Sequence, residues 1–183
     1  METEIKLRLV RAAAIRRLLG RLGFEVAKHR VFEINLVFDT PSAALQHERK
    51  LLRLRQAGSV RTMTFKGPPV EGRHKSREEV ESGFADMAAM RRILEGIGFL
   101  PVFRYEKYRT EYRRDRGGVV MLDQTPIGDF LELEGAAQWI DRTARTLGFS
   151  PADYITVSYG RLYLEYCEAK GVDPRNMVFE HKR

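Results

Sequence analysis

One cysteine in 183 residues rules out a disulfide framework. None is needed, because a chain of this length can bury roughly 70% of the surface it exposes when unfolded. Cys167 falls in a helical pattern with no base beside it and reads as a reduced packing thiol. No window approaches the ~18 apolar residues of a membrane span, and the first residues alternate acid and base where a secretory signal has an apolar stretch. A cytoplasmic protein with no membrane partner is expected. The four histidines, His29, His47, His74 and His181, share no ligand spacing, which argues against zinc. Low-complexity tracts, Ser/Gly linkers and long like-charge blocks are also missing. Residues 1–183 therefore read as one domain, with a loose tail from about 172.

What is abundant is charge. The formal net charge is +7, and 24 arginines stand against 8 lysines. A planar, permanently charged guanidinium suits phosphate oxygens, so the bias points to a polyanionic partner, either nucleic acid or a small phosphorylated compound. Which of the two depends on where the charges sit.

The hydrophobic period switches repeatedly between 3.6 and 2. Helical patterns cover 12–22, 86–97, 136–147 and 158–170; Asp86 and Ser158 stand at N-caps, and Gly23, Gly98, Gly148 and Gly171 follow the last turns. Alternating patterns predict eight strands, at 2–10, 26–38, 50–56, 60–66, 73–81, 101–114, 118–124 and 129–134, most joined by short turns. Three times a Glu-x-Glu strand precedes an amphipathic helix that exits through an aliphatic residue, Gly and Phe, at Leu22-Gly23-Phe24, Ile97-Gly98-Phe99 and Leu147-Gly148-Phe149. The recurrence points to a pseudo-symmetric β-α-β arrangement. Asp39-Thr40-Pro41 reads as turn and helix-start chemistry.

Residues i and i+2 of a strand share a face. Nearly every predicted strand sets charge on one face and apolar residues on the other, and the helices carry apolar stripes that must cover something. Helices on the apolar side would turn all the charged faces together. The expected fold is α+β, an eight-stranded antiparallel β-barrel with a charged lumen and helices packed outside. The shared faces hold seven bases (Lys6, Arg53, Arg55, Lys66, Arg77, Lys107, Arg109) and seven acids (Glu2, Glu4, Glu79, Glu81, Asp123, Glu132, Glu134). Confined charges must pair or be occupied by ligands, and a polyphosphate with divalent cations satisfies both signs.

In this order along the chain, Glu2-x-Glu4-x-Lys6, Leu52-Arg53-Leu54-Arg55, Thr64-Phe65-Lys66-Gly67-Pro68, Arg77-Glu78-Glu79-Val80-Glu81, Lys107-Tyr108-Arg109, Leu122-Asp123, Gly128-Asp129-Phe130-Leu131-Glu132-Leu133-Glu134 and Ser158-Tyr159 resemble the CYTH family. That family, also called triphosphate tunnel metalloenzymes, includes class IV adenylate cyclases and thiamine triphosphatases. The resemblance implies an eight-stranded tunnel, a small-molecule triphosphate substrate, and Mg²⁺ or Mn²⁺. By resemblance, Glu2, Glu4, Glu132, Glu134 and Asp123 would be metal ligands, with Asp123 either ligating or orienting water. Lys6, Arg53, Arg55, Lys66, Arg77, Lys107 and Arg109 would bind the substrate, and Asp123, Lys66 and Glu134 would be catalytic. The Lys-Gly-Pro step and the Gly-Asp-Phe block most resemble the class IV cyclase branch. Asn35 departs from the Asp which that branch often carries near the end of the second strand.

The implied chemistry is metal-assisted attack on a triphosphate. A ribose 3′-hydroxyl as nucleophile makes cyclic AMP and pyrophosphate from ATP, whereas water hydrolyses tripolyphosphate, thiamine triphosphate or another organic triphosphate. A non-catalytic polyphosphate-binding module and an RNA-binding strand over Arg104-Tyr105-Glu106-Lys107-Tyr108-Arg109 are the alternatives of another class. Carboxylates on the same face would repel a nucleic-acid backbone, so nucleic acid is the less favoured partner. A homodimer is compatible with the sequence.

Overall fold

The computed structural model describes residues 1–70 and 72–180. Strands occupy Glu2–Leu9 (β1), Glu25–Asp39 (β2), Leu51–Ala57 (β3), Val60–Lys66 (β4), Lys75–Arg77 (β5), Glu79–Gly83 (β6), Leu100–Arg113 (β7), Gly118–Thr125 (β8) and Gly128–Gly135 (β9). Helices occupy Ala12–Arg21 (α1), Ala44–His47 (α2), Met87–Gly96 (α3), Ala137–Thr146 (α4) and Tyr159–Lys170 (α5). The strands form one sheet in the order β5-β1-β9-β8-β7-β2-β3-β4-β6, with every neighbouring pair antiparallel.

The expected eight strands are nine, and the cause is local. The segment predicted as one strand over 73–81 breaks at Glu78. Its first part pairs with β1, placing Arg77 opposite Glu2 and Lys75 opposite Glu4, while its second part pairs with β4, placing Glu79 opposite Lys66. The two edges of the sheet are therefore consecutive pieces of chain, and the break brings the barrel nearly to closure. Gly67 N–H donates to the Glu78 carbonyl at 3.0 Å and Val70 N–H to the Ser76 carbonyl at 2.7 Å across the join. The break keeps the alternation in step, so Lys75, Arg77, Glu79 and Glu81 all line the interior.

Alternation sends the apolar residues outward. Ile5, Leu7, Val120, Leu122, Leu131 and Leu133 pack beneath Leu19 of α1 and Trp139 and Ile140 of α4. Phe38 and Leu54 pack beneath Leu94 of α3. Each such side chain, fully buried, stabilises the fold by ~1.5–3 kcal/mol before chain entropy is counted. α5 differs: its Tyr159 and Leu162 pack on Tyr105 and Phe130, which point inward, so this helix caps one end of the barrel.

Asp86 and Ser158 cap α3 and α5 as their sequence positions predict. The three Gly-Phe exits share one geometry. Phe24, Phe99 and Phe149 N–H groups reach back five residues to the carbonyls of Leu19, Leu94 and Ala144 at 2.9–3.0 Å, with the preceding glycines at φ 77°, 96° and 91°. This is a left-handed helix stop in which a side chain is costly. Two copies, β1-α1-β2 and β6-α3-β7, are β-α-β units, whereas the third leads from α4 into α5. Asp39 accepts the Leu45 and Gln46 N–H groups at 2.9 Å and starts α2.

Of the tail expected to be loose from about 172, Asn176, Met177 and Phe179 are bonded to β7. Met177 is fully buried, its N–H donates to the Arg104 carbonyl at 3.0 Å, and its carbonyl accepts from Glu106 N–H at 2.9 Å. Residues 181–183, His181 among them, lie outside the described residues. No helix among the described residues is long and apolar enough to cross a membrane.

Candidate active site

The barrel encloses a cavity of about 370 Å³. All seven bases and six of the seven acids sorted from the sequence line it; the exception is Asp123. The structure adds Lys28, Lys75, Arg113 and Glu111, so ten bases and seven acids face the interior. The near balance expected from sequence is replaced by an excess of cations.

Asp123 lies beneath the cavity wall, fully buried. Arg109 grips it with two N–H groups at 2.7 and 2.6 Å, Lys107 donates at 2.8 Å, and the Tyr159 hydroxyl donates at 2.8 Å. Lys6 and Lys107 stand 5.3 and 5.1 Å from the centre of the Tyr159 ring. One carboxylate and one aromatic ring thus aim three of the interior cations.

The remaining acids are held by bases. Lys66 donates to both oxygens of Glu2 at 2.7 and 2.6 Å and lies 3.0 Å from Glu79. Glu4 lies 3.2 Å from Lys75 and 3.4 Å from Lys6, and Glu132 bonds Arg109. Burial pushes the Glu4 carboxyl upward, but Lys6 and Lys75 outweigh it and hold it well below the usual range. Glu132 is held low in the same way, by Arg109, Lys107 and Lys6 against burial. Glu81 and Glu134 are exceptions among the described residues: Glu81 accepts from the Thr64 hydroxyl at 2.9 Å, whereas no basic group pairs with Glu134, and burial together with Glu4 and Glu132 raises the Glu134 pKa.

Burial and the Glu4 charge push Glu2 up to about 7 in spite of Lys66. A carboxyl raised on folding stabilises the folded state fully below its unfolded pKa and loses that contribution as pH rises through the folded value. In metal-free protein, Glu2→Gln is therefore expected to gain stability relative to wild type as pH rises from about 4.5 to about 7. Urea midpoints measured across that window in EDTA check this, and a gap independent of pH would refute it.

Sequence reasoning missed Glu33 and Lys75, and it gave no site role to Tyr159 of the Ser158-Tyr159 block or to Tyr105. Glu33, 3% exposed, sits among Lys107, Arg109 and Arg55, which overcome burial and hold its pKa down at about 2. Asn35 is fully buried, and its side-chain carbonyl accepts from Arg55 Nε at 3.0 Å. Lys75 carried a signal, since it shares alternation with Arg77.

A second cavity of about 920 Å³ adjoins the first at the α5 end. Phe103, Tyr163, Leu164 and Val102 give it an apolar wall, and Arg49, Arg161 and Arg175 stand around it. Leu51, Lys75, Arg77, Tyr105, Ser158 and Tyr159 line both cavities and form the passage between them.

A barrel with this interior defines a tunnel fold, and residues 1–159 match the family model described as CYTH domain. The chain belongs to the CYTH domain family, and the enzymatic reading of the sequence stands with it. It is similar to a Methanocaldococcus jannaschii protein named "Putative adenylate cyclase", at 29% identity over 147 residues, covering 80% of this chain and 83% of that protein. A solved protein from Pyrococcus horikoshii OT3 has a TM-score of 0.79 at 24% identity, covering 91% of this chain and 99% of its own. A Hippeastrum protein described as a "putative adenylyl cyclase" with a dominant triphosphatase activity has a TM-score of 0.64 at 19% identity, covering 95% of this chain and 98% of its own. The two structural likenesses speak for the fold.

Proposed function

We propose that the chain is a metal-dependent enzyme that holds the triphosphate group of its substrate inside the barrel. The reading favoured is conversion of ATP to cyclic AMP and pyrophosphate. The observation that carries the triphosphate assignment is the cation-rich interior of the nearly closed barrel, and the adjoining apolar cavity supplies room for an organic group beside the phosphate chain. The second reading is hydrolysis of tripolyphosphate, thiamine triphosphate or another organic triphosphate. Asn35 and the triphosphatase activity of the Hippeastrum relative favour it.

The donor set fits a hard divalent cation. Glu2, Glu4, Glu132 and Glu134 are oxygen donors on the paired strands β1 and β9, where Glu4 stands opposite Glu134, and Glu134 lacks a basic partner among the described residues. No three metal-ligating side chains are gathered about one point among the described residues, because Glu2, Glu4 and Glu132 are turned toward lysine and arginine. Phosphate oxygens taking over those bases would free the carboxylates for the cation. Mg²⁺ or Mn²⁺ bound there would neutralise charge that develops on the leaving phosphate. Lys66, Arg53, Arg55, Arg77, Lys6, Lys107 and Arg109 hold the phosphate chain in line for attack. Asp123, with both oxygens already occupied by donors, acts in this reading by aiming Lys107 and Arg109.

The alternative of an RNA-binding strand is disfavoured by how β7 divides its side chains. Tyr105, Lys107 and Arg109 face the interior, whereas Tyr108 lies against Phe32 with centroids 5.0 Å apart and under Arg30. Tyr108 thus lies on the face opposite Lys107 and Arg109, and the one aromatic that shares their face, Tyr105, is enclosed in the barrel with them.

Purified protein assayed with ATP, tripolyphosphate and thiamine triphosphate in Mg²⁺ or Mn²⁺, resolving cyclic AMP from free phosphate, tests the proposal. Turnover of at least one compound, removed by EDTA, is expected. No turnover and no metal-dependent binding of any of the three would overturn it.

A further inference from the structure

The passage between the two cavities is where the phosphate chain meets whatever is attached to it, so a group there faces the phosphorus at that end. Six side chains line it: Leu51, Lys75, Arg77, Tyr105, Ser158 and Tyr159. An oxygen nucleophile attacking that phosphorus must lose a proton, and a proton acceptor within reach is the missing part of the site. Leu51 has no polar atom, and Arg77 is a cation turned toward Glu2. Burial and Lys6 bring the Lys75 ammonium down to about 8, but its nitrogen is turned to Glu4 at 3.2 Å. Ser158 caps α5 by accepting the Arg161 N–H at 3.2 Å, and Tyr159 donates its hydroxyl to Asp123.

Tyr105 is different. Its oxygen accepts from Arg53 Nη1 at 3.1 Å, and its own O–H has no acceptor among the described residues. Its ring is fixed from both sides, stacked with Phe103 at 5.7 Å and tilted against Tyr159 at 6.2 Å. The charged groups that act on it from the barrel cavity are the cations Arg53 and Arg55 from β3 and Lys107 from its own strand, and the passage adds Lys75 and Arg77 from β5. Glu33 from β2 is engaged with Lys107, Arg109 and Arg55. From α5 comes the neutral Tyr159, and from the tail the apolar Met177.

We propose that Tyr105 is the proton acceptor for the oxygen nucleophile that attacks the phosphorus at the passage end of the bound triphosphate. This rests on the triphosphate reading above. The hydroxyl proton of the nucleophile, water or a sugar hydroxyl, passes to the phenolate oxygen as the new O–P bond forms. The P–O bond to the leaving phosphate breaks and takes its electron pair to that phosphate, which stays among the interior lysines and arginines. The proton then returns to water through the wider cavity. Arg53 holds the phenolate in place throughout. Burial opposes ionisation of Tyr105, but Arg53, Arg55 and Lys107 overcome it and bring the phenol down to about 8, within reach of a working pH.

Tyr105→Phe keeps the ring and removes only the oxygen. Absorbance titration of tyrosinate in folded protein is expected to show a step near pH 8 in wild type that is missing from the variant. With whichever of ATP or tripolyphosphate the wild type turns over in Mg²⁺, kcat of the variant is expected to fall by ~100-fold or more with KM within about twofold, and the rise of rate with pH through about 8 is expected to disappear. A variant with raised KM, unchanged kcat and an unchanged pH profile would make Tyr105 an anchor for Arg53 and overturn the proposal. Wild-type kinetics in the variant, or no tyrosinate step near pH 8, would overturn it as well. A wild type inactive on every triphosphate would remove the parent reading and this one together, which separates the two failures.

Discussion

Glu134→Gln is expected to keep the protein folded and lower its metal-dependent triphosphate turnover by about 100-fold or more, roughly 2.7 kcal/mol of transition-state stabilisation. The two effects separate at this position because Glu134 has no ion pair to lose among the described residues. Among the described residues no base pairs with it, and burial beside Glu4 and Glu132 already disfavours its charge. Neutralising it relieves repulsion, so urea stability is expected to be equal to or above that of wild type in metal-free buffer. Substituting Glu132 would not be as clean, since Arg109 and Lys6 would be left short of a partner. Steady-state rates against metal concentration beside a urea titration make the comparison. Full activity in Glu134→Gln would remove this residue from the metal set.

Asp123→Asn is expected to do the opposite, with stability falling first and activity following. The carboxylate is fully buried and receives hydrogen bonds from Lys107, Arg109 and Tyr159. An amide at this place turns an NH₂ toward donors and leaves two buried cations without their charge partner. Breaking a buried pair from one side costs about 3–5 kcal/mol. At ~2–4 °C per kcal/mol for a chain of this size, a melting temperature lower by roughly 10 °C follows. Calorimetry of metal-free protein, where catalysis plays no part, is the measurement. An unchanged melting temperature would show that the interior cations do not depend on Asp123.

The shared faces were legible in the sequence because the strand period is two and holds through most of the barrel. Arg53 with Arg55, Lys107 with Arg109, and Glu132 with Glu134 are each two residues apart on unbroken strands, and all six reach the cavity. Even the break at Glu78 preserved the count. β2 was not legible for the same reason in reverse. Its pairing with β7 shifts register between Val26 and Lys28, between Lys28 and Val31, and between Val37 and Phe38. Lys28 lines the cavity and Glu33 belongs to the same interior charge network, although they stand five positions apart, an odd offset. Alternation alone could not have assigned both.

Depth was the other thing missing. Period two says which side of a sheet a residue faces, and Asp123 faces the correct side, yet three donors close over it and keep it from the cavity. The role of α5 was hidden similarly: its apolar residues announce a packed helix, but nothing in their spacing tells that they rest on Tyr105 and Phe130 at the end of the barrel instead of on its outer wall.

The join beside Glu78 bears on how the barrel behaves around a ligand. After β4 the chain runs Gly67-Pro68-Pro69-Val70, and the two prolines have no N–H to give. Among the described residues Gly67 and Val70 supply two backbone bonds across the gap, where the other joined strands have continuous ladders. Lys66 lies on one side of this join and Lys75 and Arg77 on the other, all facing inward. On the proposed reading, a phosphate chain gripped from both sides would act as a cross-tie, drawing the wall taut across that join.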